Sequence, residues 1–441
     1  MRRRAGDPPF VMTESLKWFS TRGSRNPFTT RETISRGLAP DGGLFFPSHF
    51  PHSNEVELAG LDSFPEIAAL VLAPYFQGDP LKEQLPEICQ QAFNFPLILK
   101  KLDAQTRVLE LFHGPTAAFK DFGARFLAQV LSRIQPRTTI LVATSGDTGG
   151  AVASAFHKVK GVNVVVLFPK DRISPRQKHQ LTAWGDNILS LEIDGDFDAC
   201  QRMVKECFQD ENLSQDLNLS SANSINVGRL LPQMAYYACA GTWSVRRMGT
   251  PLQLLIPSGN LGNAVGALWA QQMGFPVGKI GIVTNANETL LQYFKTGVYE
   301  PRKSVATLAN AMDVGNPSNF ERLKEIFPRL DLLKKNGISF FSVGDEEIRK
   351  SIRQTYDRYQ EIVCPHTATA SWIAETIKPF QPVTWVATAH ASKFETIVEP
   401  SIGRSVELAP QLKEILSRKP VYETLESDVA ALKKKIRQAF G

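Results

Sequence analysis

Short β-branched apolar runs, each closed by a turn and followed by a stretch of helical character, recur along this chain, and that alternation limits its fold more than any other feature. From about Arg107 onward come RTTILVAT, SGDTGG and AVASAFHKV, then VNVVVLF (Val162 to Phe168) and RISPRQKHQLTAW. The pattern resumes with LQLLIP, SGNLGN and AVGALWAQQM, continues with KIGIVTNA, and closes with TWVATA before a lysine-rich tail predicted to be helical. Runs of this length and β-branched content, apolar on both faces, fit strands buried in a parallel sheet. Strand and helix in alternation therefore predict an α/β fold. The first hundred or so residues differ: loop signals at GLAPDGGLFFP (Gly37 to Pro47) precede helical apolar spacing from Phe64 to Tyr75, so a separate N-terminal unit is predicted.

A chain of 441 residues with 43% hydrophobic content can bury a large core and divide into two or three domains. Its net charge of +6 is spread along the sequence, with the basic clusters Arg2 to Arg4 and Lys433 to Lys435 at the ends, which argues against a nucleic-acid partner and is compatible with an anionic substrate. The five cysteines, Cys89, Cys200, Cys207, Cys239 and Cys364, form no C-x-x-C pair, against both a disulfide framework and a metal site. The opening MRRRAGDPPFV lacks the apolar segment of a secretion signal, and Met12 competes with Met1 as the start. No apolar run has membrane-spanning length, so a cytoplasmic protein without a membrane partner is expected.

Glycine turns placed between a strand and a helix carry the chemistry, because the unpaired N–H groups of a helix start attract an anion. In ATSGDTGG, residues Thr144, Ser145, Gly146, Asp147, Thr148 and Gly149 offer hydroxyls and close backbone approach to a carboxylate or phosphate. In PSGNLGN, residues Ser258, Gly259, Asn260, Leu261, Gly262 and Asn263 have the composition of a phosphate nest. One such turn is often merely structural; two together carry more weight. Neither has dinucleotide or P-loop spacing. A third element, ELFHGPTAAFKDFGARF (Glu110 to Phe126), places Lys120 between Phe119 and Phe122, where desolvation would favour a neutral amine suited to carbonyl chemistry. His113 in the same stretch reads as a turn-fixing residue.

The ordered set HGPTAAFKDFGAR, ATSGDTG, NSINVGR, SGNLGN, NPSNFER and ATAHASKF, together with the N-terminal STRG (Ser20 to Gly23) and GLAPDGGLFFP, resembles threonine synthases of the longer type over most of the chain. The resemblance implies a fold-type II pyridoxal-phosphate enzyme of tryptophan-synthase-β-like architecture: two parallel-sheet α/β subdomains with the cofactor in the cleft between them, plus an N-terminal domain. The implied division is residues 1–100 for the N-terminal domain, 101–112 with 223–441 for a large cofactor-binding domain, and 113–222 for a small substrate-side subdomain. The implied reaction is that of a carbon–oxygen lyase acting on phosphates, converting O-phosphohomoserine and water into L-threonine and phosphate by γ-elimination and β-addition.

Carried over residue by residue, the resemblance makes Lys120 the cofactor-bearing lysine and catalytic base, and Ser258 through Asn263 the cradle of the cofactor phosphate. Asp147 would meet the cofactor's ring hydroxyl and Thr388 its pyridine nitrogen. Thr144, Ser145 and Thr148 would bind the substrate carboxylate. The substrate phosphate needs a separate anion site, for which NSINVGR supplies Ser224, Asn226 and Arg229, with Lys393 ranked below Arg229. The plainer reading makes Asn226 a helix cap and Arg229 a surface ion pair. Asn263 and Leu261 stand where many longer-type members have aspartate and phenylalanine (GNFGD), so the alternative is an O-phospho-amino-acid lyase giving keto acid, ammonia and phosphate. A cofactor-free binding module and a serine or threonine dehydratase rank lower. The resemblance also implies a monomer.

Overall fold

The computed structural model describes residues 16–52, 60–135, 137–144, 146–170 and 173–441. Met1, Met12 and Ser145 lie outside the described residues. In chain order the strands are β1 (Trp18–Ser20), β2 (Phe45–Pro47), β3 (Ile98–Lys101), β4 (Thr106–Glu110), β5 (Thr138–Ala143), β6 (Val162–Pro169), β7 (Ile188–Asp194), β8 (Leu219–Ser220), β9 (Leu252–Pro257), β10 (Val277–Thr284), β11 (Ile338–Ser342), β12 (Val383–Ala387) and β13 (Glu423–Glu426).

They form three sheets. The large sheet has the order β11-β10-β9-β12-β4-β3 and is parallel apart from the β3–β4 edge pair. The small sheet, β13-β7-β6-β5-β8, is parallel throughout. The apolar runs seen in the sequence become its central strands: Ile140, Val142, Val164 and Val166 face one apolar cluster, and Leu141, Val165 and Leu167 the other. A sheet buried on both faces has no room for alternating polar residues, and these strands have few.

β13 overturns one expectation. Residues 223–441 were assigned as a block to the large domain, with a helical tail, yet Glu423–Glu426 crosses back and pairs in parallel with β7. The helix Val429–Phe440 then buries Leu432 and Ile436 in the apolar cluster of the small sheet. That cluster also holds Cys200, Met203 and Val204 of the helix Phe197–Gln209, which packs on β5 and β6 and, on its flank, against the helix Val429–Phe440.

The N-terminal residues form the antiparallel β1–β2 pair and the helices Thr30–Arg36, Phe64–Leu72 and Leu85–Ala92, which share one continuous apolar core with the large domain. Trp18 stacks near Tyr75 and Trp269, with both ring centroids 5.9 Å away. Its indole N–H donates to Thr30 Oγ1 at 2.9 Å. The STRG segment is held by Glu321, which accepts from Thr21 Oγ1 at 2.5 Å and pairs with Arg22 at 2.8 Å.

Behind Glu321, Arg322 is fully buried and donates to three acceptors from different parts of the chain: Phe45 O (3.0 Å), Asn319 Oδ1 (2.7 Å) and Ile225 O (2.7 Å). Burial lowers its pKa to about 9. Truncation would leave those acceptors dry and unpaired, at about 1–3 kcal/mol each before relaxation. Arg322→Ala should therefore lower stability by about 3 kcal/mol, read as a lower urea-unfolding midpoint. Arg322→Lys, which keeps the charge but not the planar fork, should recover only part of the loss.

Candidate active site

In the large sheet β9 lies between β10 and β12, so the chain leaves β9 towards one edge while β12 and β4 lie towards the other. A crevice at the carboxyl ends of the strands is expected at such a reversal. β9 ends in Ser258–Leu261, and the helix Gly262–Gln272 begins at once. Leu261 occupies the N-cap with φ 62°, and no side chain caps the helix. A Cβ on Gly259 would lie 2.7 Å from Met312 Cα, so the turn fits only without one.

Two donors in this turn are buried without a partner among the described residues, the Ser258 hydroxyl and Asn263 Nδ2. Asn263 Oδ1 accepts from the hydroxyls of Tyr236 and Tyr237, which fixes the amide and leaves its N–H₂ over. A hydroxyl, an amide and an uncapped helix start make an anion cradle, and the donor set fits a phosphate ester.

Lys120 opens the helix Lys120–Ile134. The stretch leading to it is joined to the end of β12: Leu111 N donates to Ala387 O (3.0 Å), Phe119 N to Thr388 O (2.8 Å) and His390 N to Ala117 O (3.0 Å). Phe119 lies beside the amine, with its ring centroid 5.8 Å from Nζ. Phe122 does not flank it, as expected from sequence, but is turned into the core against Phe64, Phe95 and Tyr236. Burial lowers the Lys120 pKa to about 8; Asp147 opposes the shift, while Lys393 and Arg229 add to it. His113 is bonded to Glu110 Oε2 at 2.7 Å.

Across the cleft, the helix Asp147–Phe156 follows β5. The Thr144 hydroxyl is taken up in shaping the turn, accepting from Gly146 N (3.1 Å) and Gly149 N (2.9 Å). Asp147 is ion-paired with Lys393 at 2.9 Å, both side chains almost fully enclosed. Burial alone would push the Asp147 carboxyl up, but the charges of Lys393 and Lys120 outweigh it and hold the group well below the usual carboxylate range. His366 accepts from Ala311 N at Nε2 (3.1 Å), and burial lowers its pKa to about 4, so the ring is neutral.

Arg229, from the helix Val227–Met248, is 3% exposed, donates to Ala222 O, and leaves Nε without a partner. Its pKa is lowered to about 10 by burial, with Asp121 opposing. Ser224 Oγ accepts from Asn260 Nδ2 at 2.6 Å, tying the NSINVGR segment to the phosphate cradle. Asn319 Nδ2 adds a bond to Asn260 O at 3.0 Å.

One cleft of about 690 Å³ is lined by Lys120, Thr144, Asp147, Thr148, Ser224, Arg229, Ser258 to Asn263, His366 and Thr388. Asn226 is not brought into it. Its Oδ1 caps the helix through Gly228 N (2.8 Å) and its Nδ2 donates to Ile34 O and Ser221 O (both 2.9 Å), so nothing is left for a ligand. Lys393 is likewise committed, to Asp147 and to Thr116 O at 2.8 Å, and is no phosphate ligand. Sequence reasoning missed His366 and the exposed lining cations Arg36, Lys205, Arg302 and Lys303. These come from separate elements without a shared motif.

Among known proteins, the family described as "Pyridoxal-phosphate dependent enzyme" matches residues 98–379, and two others, "Threonine synthase N terminus" and "Threonine synthase, C-terminal", match residues 17–93 and 366–436. Fold and site together define a pyridoxal-phosphate-dependent enzyme. The threonine synthase of Haemophilus influenzae is 38% identical, over 92% of this chain and 96% of its own. The crystal structure of threonine synthase from Escherichia coli superposes with a TM-score of 0.89 at 36% identity, covering 96% of this chain and 99% of the other. The pyridoxal-phosphate-bound threonine synthase from Brucella melitensis gives 0.88 at 31% identity, with coverage of 97% and 100%. This chain belongs to the threonine synthase family. Maize serine racemase, at 14% identity and a TM-score of 0.53, shares the fold alone.

Gly259→Ala, which forces a Cβ into Met312, should weaken pyridoxal-phosphate binding at least tenfold, about 1.4 kcal/mol, in a fluorescence titration of the apo-protein while leaving the circular dichroism unchanged.

Proposed function

We propose that this enzyme converts O-phosphohomoserine and water into L-threonine and inorganic phosphate. The observation that carries the reading is Arg229: a buried guanidinium with an unpaired Nε, lining the same cleft as Lys120 but belonging to a different segment from the Ser258–Asn263 cradle. The cleft thus offers an anion site beyond the Ser258–Asn263 cradle and the turn before the helix Asp147–Phe156, whereas an amino acid without phosphate would need only those two, for the cofactor and its own carboxylate.

In this reading Ser258 Oγ, Asn263 Nδ2 and the N–H groups at the start of the helix Gly262–Gln272 hold the cofactor phosphate. Thr388 and Asp147, on the walls of the same cleft, would hold the cofactor ring through its nitrogen and its hydroxyl, and Lys120 would be the attachment point. When bound, pyridoxal phosphate supplies the electron sink for bond breaking at the amino acid's carbons.

The remaining work belongs to side chains. Arg229 binds the substrate phosphate with Ser224, and its planar fork orients the γ-carbon's leaving group. Thr148 and the start of the helix Asp147–Phe156 bind the substrate carboxylate, with the fixed Thr144 hydroxyl shaping the turn. Lys120 Nζ takes the α-proton, assists proton loss at β, and returns a proton at γ after phosphate has left; water then gives its hydroxyl to β, and a proton goes back to α. Neutral His366 adds no charge that would compete for the phosphate. The exposed cations Arg36, Lys205, Arg302 and Lys303 draw the dianionic phosphate group towards the cleft.

Incubation with O-phosphohomoserine should give threonine and phosphate by mass spectrometry. Phosphate with a keto acid and ammonia would instead establish the lyase alternative, and Lys120→Ala should show neither turnover nor a covalent cofactor adduct. Arg229→Lys should lower kcat/KM about 100-fold by loss of the fork, with cofactor content unchanged. Raising the salt concentration should lower kcat/KM more than kcat, since exposed cations act on the approach of the substrate and are screened.

A further inference from the structure

Lys393, the ion-pair partner of Asp147, has no role in the chemistry above. Lys393 follows β12 in the turn Ala391–Phe394, is 0% exposed, and spends two of its three N–H donors on Asp147 Oδ1 (2.9 Å) and Thr116 O (2.8 Å). Thr116 is itself fixed by Asp121, which accepts from its N–H (2.9 Å) and its hydroxyl (2.7 Å). The ammonium is thus held in place from both sides. Asp147 has only one other protein donor among the described residues, Gln177 Nε2 at 3.3 Å.

We propose that Lys393 is a positioning residue: by serving as the buried counter-ion of Asp147 it keeps that carboxylate from pairing with Lys120, and so leaves the Lys120 amine free to give up its proton and form its bond to the cofactor. The inference rests on the reading of Lys120 as the cofactor lysine. Four groups from four elements act on that amine. Asp147 favours its charged form; Lys393 and Arg229 disfavour it; His366, neutral in its buried setting, adds little. Removing Lys393 changes two of these at once, and in the same direction. A repelling cation disappears, and a buried carboxylate with no full counter-charge is left facing the nearest remaining lysine. A buried carboxylate without a partner is costly, so it recruits that lysine in its charged form.

Only the neutral amine can react. The lone pair of Lys120 Nζ bonds to the aldehyde carbon of pyridoxal phosphate, and the aldehyde oxygen leaves as water with the two amine protons. The rate of attachment to the apo-protein therefore reports the charge on Lys120, independently of any turnover.

The experiment mixes full-length apo-protein with pyridoxal phosphate at pH values between about 6 and 10 at constant ionic strength, traps the product with borohydride, and quantifies the modified peptide by mass spectrometry. Wild-type attachment to Lys120 should be half-maximal near pH 8, the value to which its pKa is lowered. Lys393→Gln should move the midpoint up by about one unit or more, making attachment at pH 7 roughly tenfold slower. Lys393→Arg, which keeps the charge, should follow the wild type. Equal midpoints for wild type and Lys393→Gln, or an alkaline shift shared by Lys393→Arg, would overturn the proposal. A wild-type midpoint at the ordinary lysine value, about 10.4, would overturn it without any variant, even if Lys393→Gln does not fold. An adduct on a residue other than Lys120 would instead strike at the assignment of the cofactor lysine.

Discussion

Three backbone hydrogen bonds join the stretch between β4 and Lys120 to the end of β12. Through them the Lys120 amine is tied to an interior strand of the large sheet, although it sits at the start of a helix reached through an irregular turn. Ala117, within that turn, adopts φ 53°, and its carbonyl accepts from the His390 N–H. The same junction places Thr388, whose carbonyl takes the Phe119 N–H, on the wall of the cleft. A nucleophile held by main-chain pairing to a buried strand has little freedom to drift, and preorganisation of this kind is what a site needs when the reacting groups must stay in register.

Charge in this interior is handled in two ways. Asp147 and Lys393 neutralise one another, and their neighbour Lys120 feels the balance between them. Among the described residues Arg322 has no carboxylate within salt-bridge distance and is instead stabilised by two main-chain carbonyls and an amide oxygen, with Trp269 6.0 Å away. Carbonyl dipoles solvate a guanidinium without cancelling it, so Arg322 can stand behind the phosphate cradle as a fixed positive charge while joining the β2 strand, the NSINVGR segment and the NPSNFER turn. Asn319 and Asn260 continue that link to Ser224.

Elements whose signal is local were legible in the sequence. β5, β6, β9, β10 and β12 are β-branched apolar runs, and the turns after β5 and β9 show their function through glycine and hydroxyl residues. β1, β2, β3 and β13 were not legible: WFS, FFP, ILKK and ETLE are three or four residues long, and ILKK and ETLE carry charges, so nothing but their partners makes them strands. At the site, the desolvation of Lys120 was legible but its source was not, because the face on which Phe122 lies depends on the rotation of a helix against Phe64 and Phe95. Asn226 illustrates a different difficulty. An asparagine before an apolar helix satisfies both a cap and a ligand pattern, and only its hydrogen-bond partners separate them. The pairing of Lys393 with Asp147 joins segments far apart in the chain and leaves no mark on either.

The return of β13 to the small sheet has a consequence for biogenesis. During synthesis β5 to β8 emerge as a group, but β7 keeps a bare edge until the ribosome has made the whole of the large domain and reached Glu423–Glu426. For that interval the nascent sheet exposes unpaired main-chain groups beside the uncovered flank of the helix Phe197–Gln209, the condition that chaperones recognise and that promotes edge-to-edge aggregation. A stop codon or proteolytic nick shortly before β13 would thus spare every residue of the cleft and still leave a chain prone to self-association.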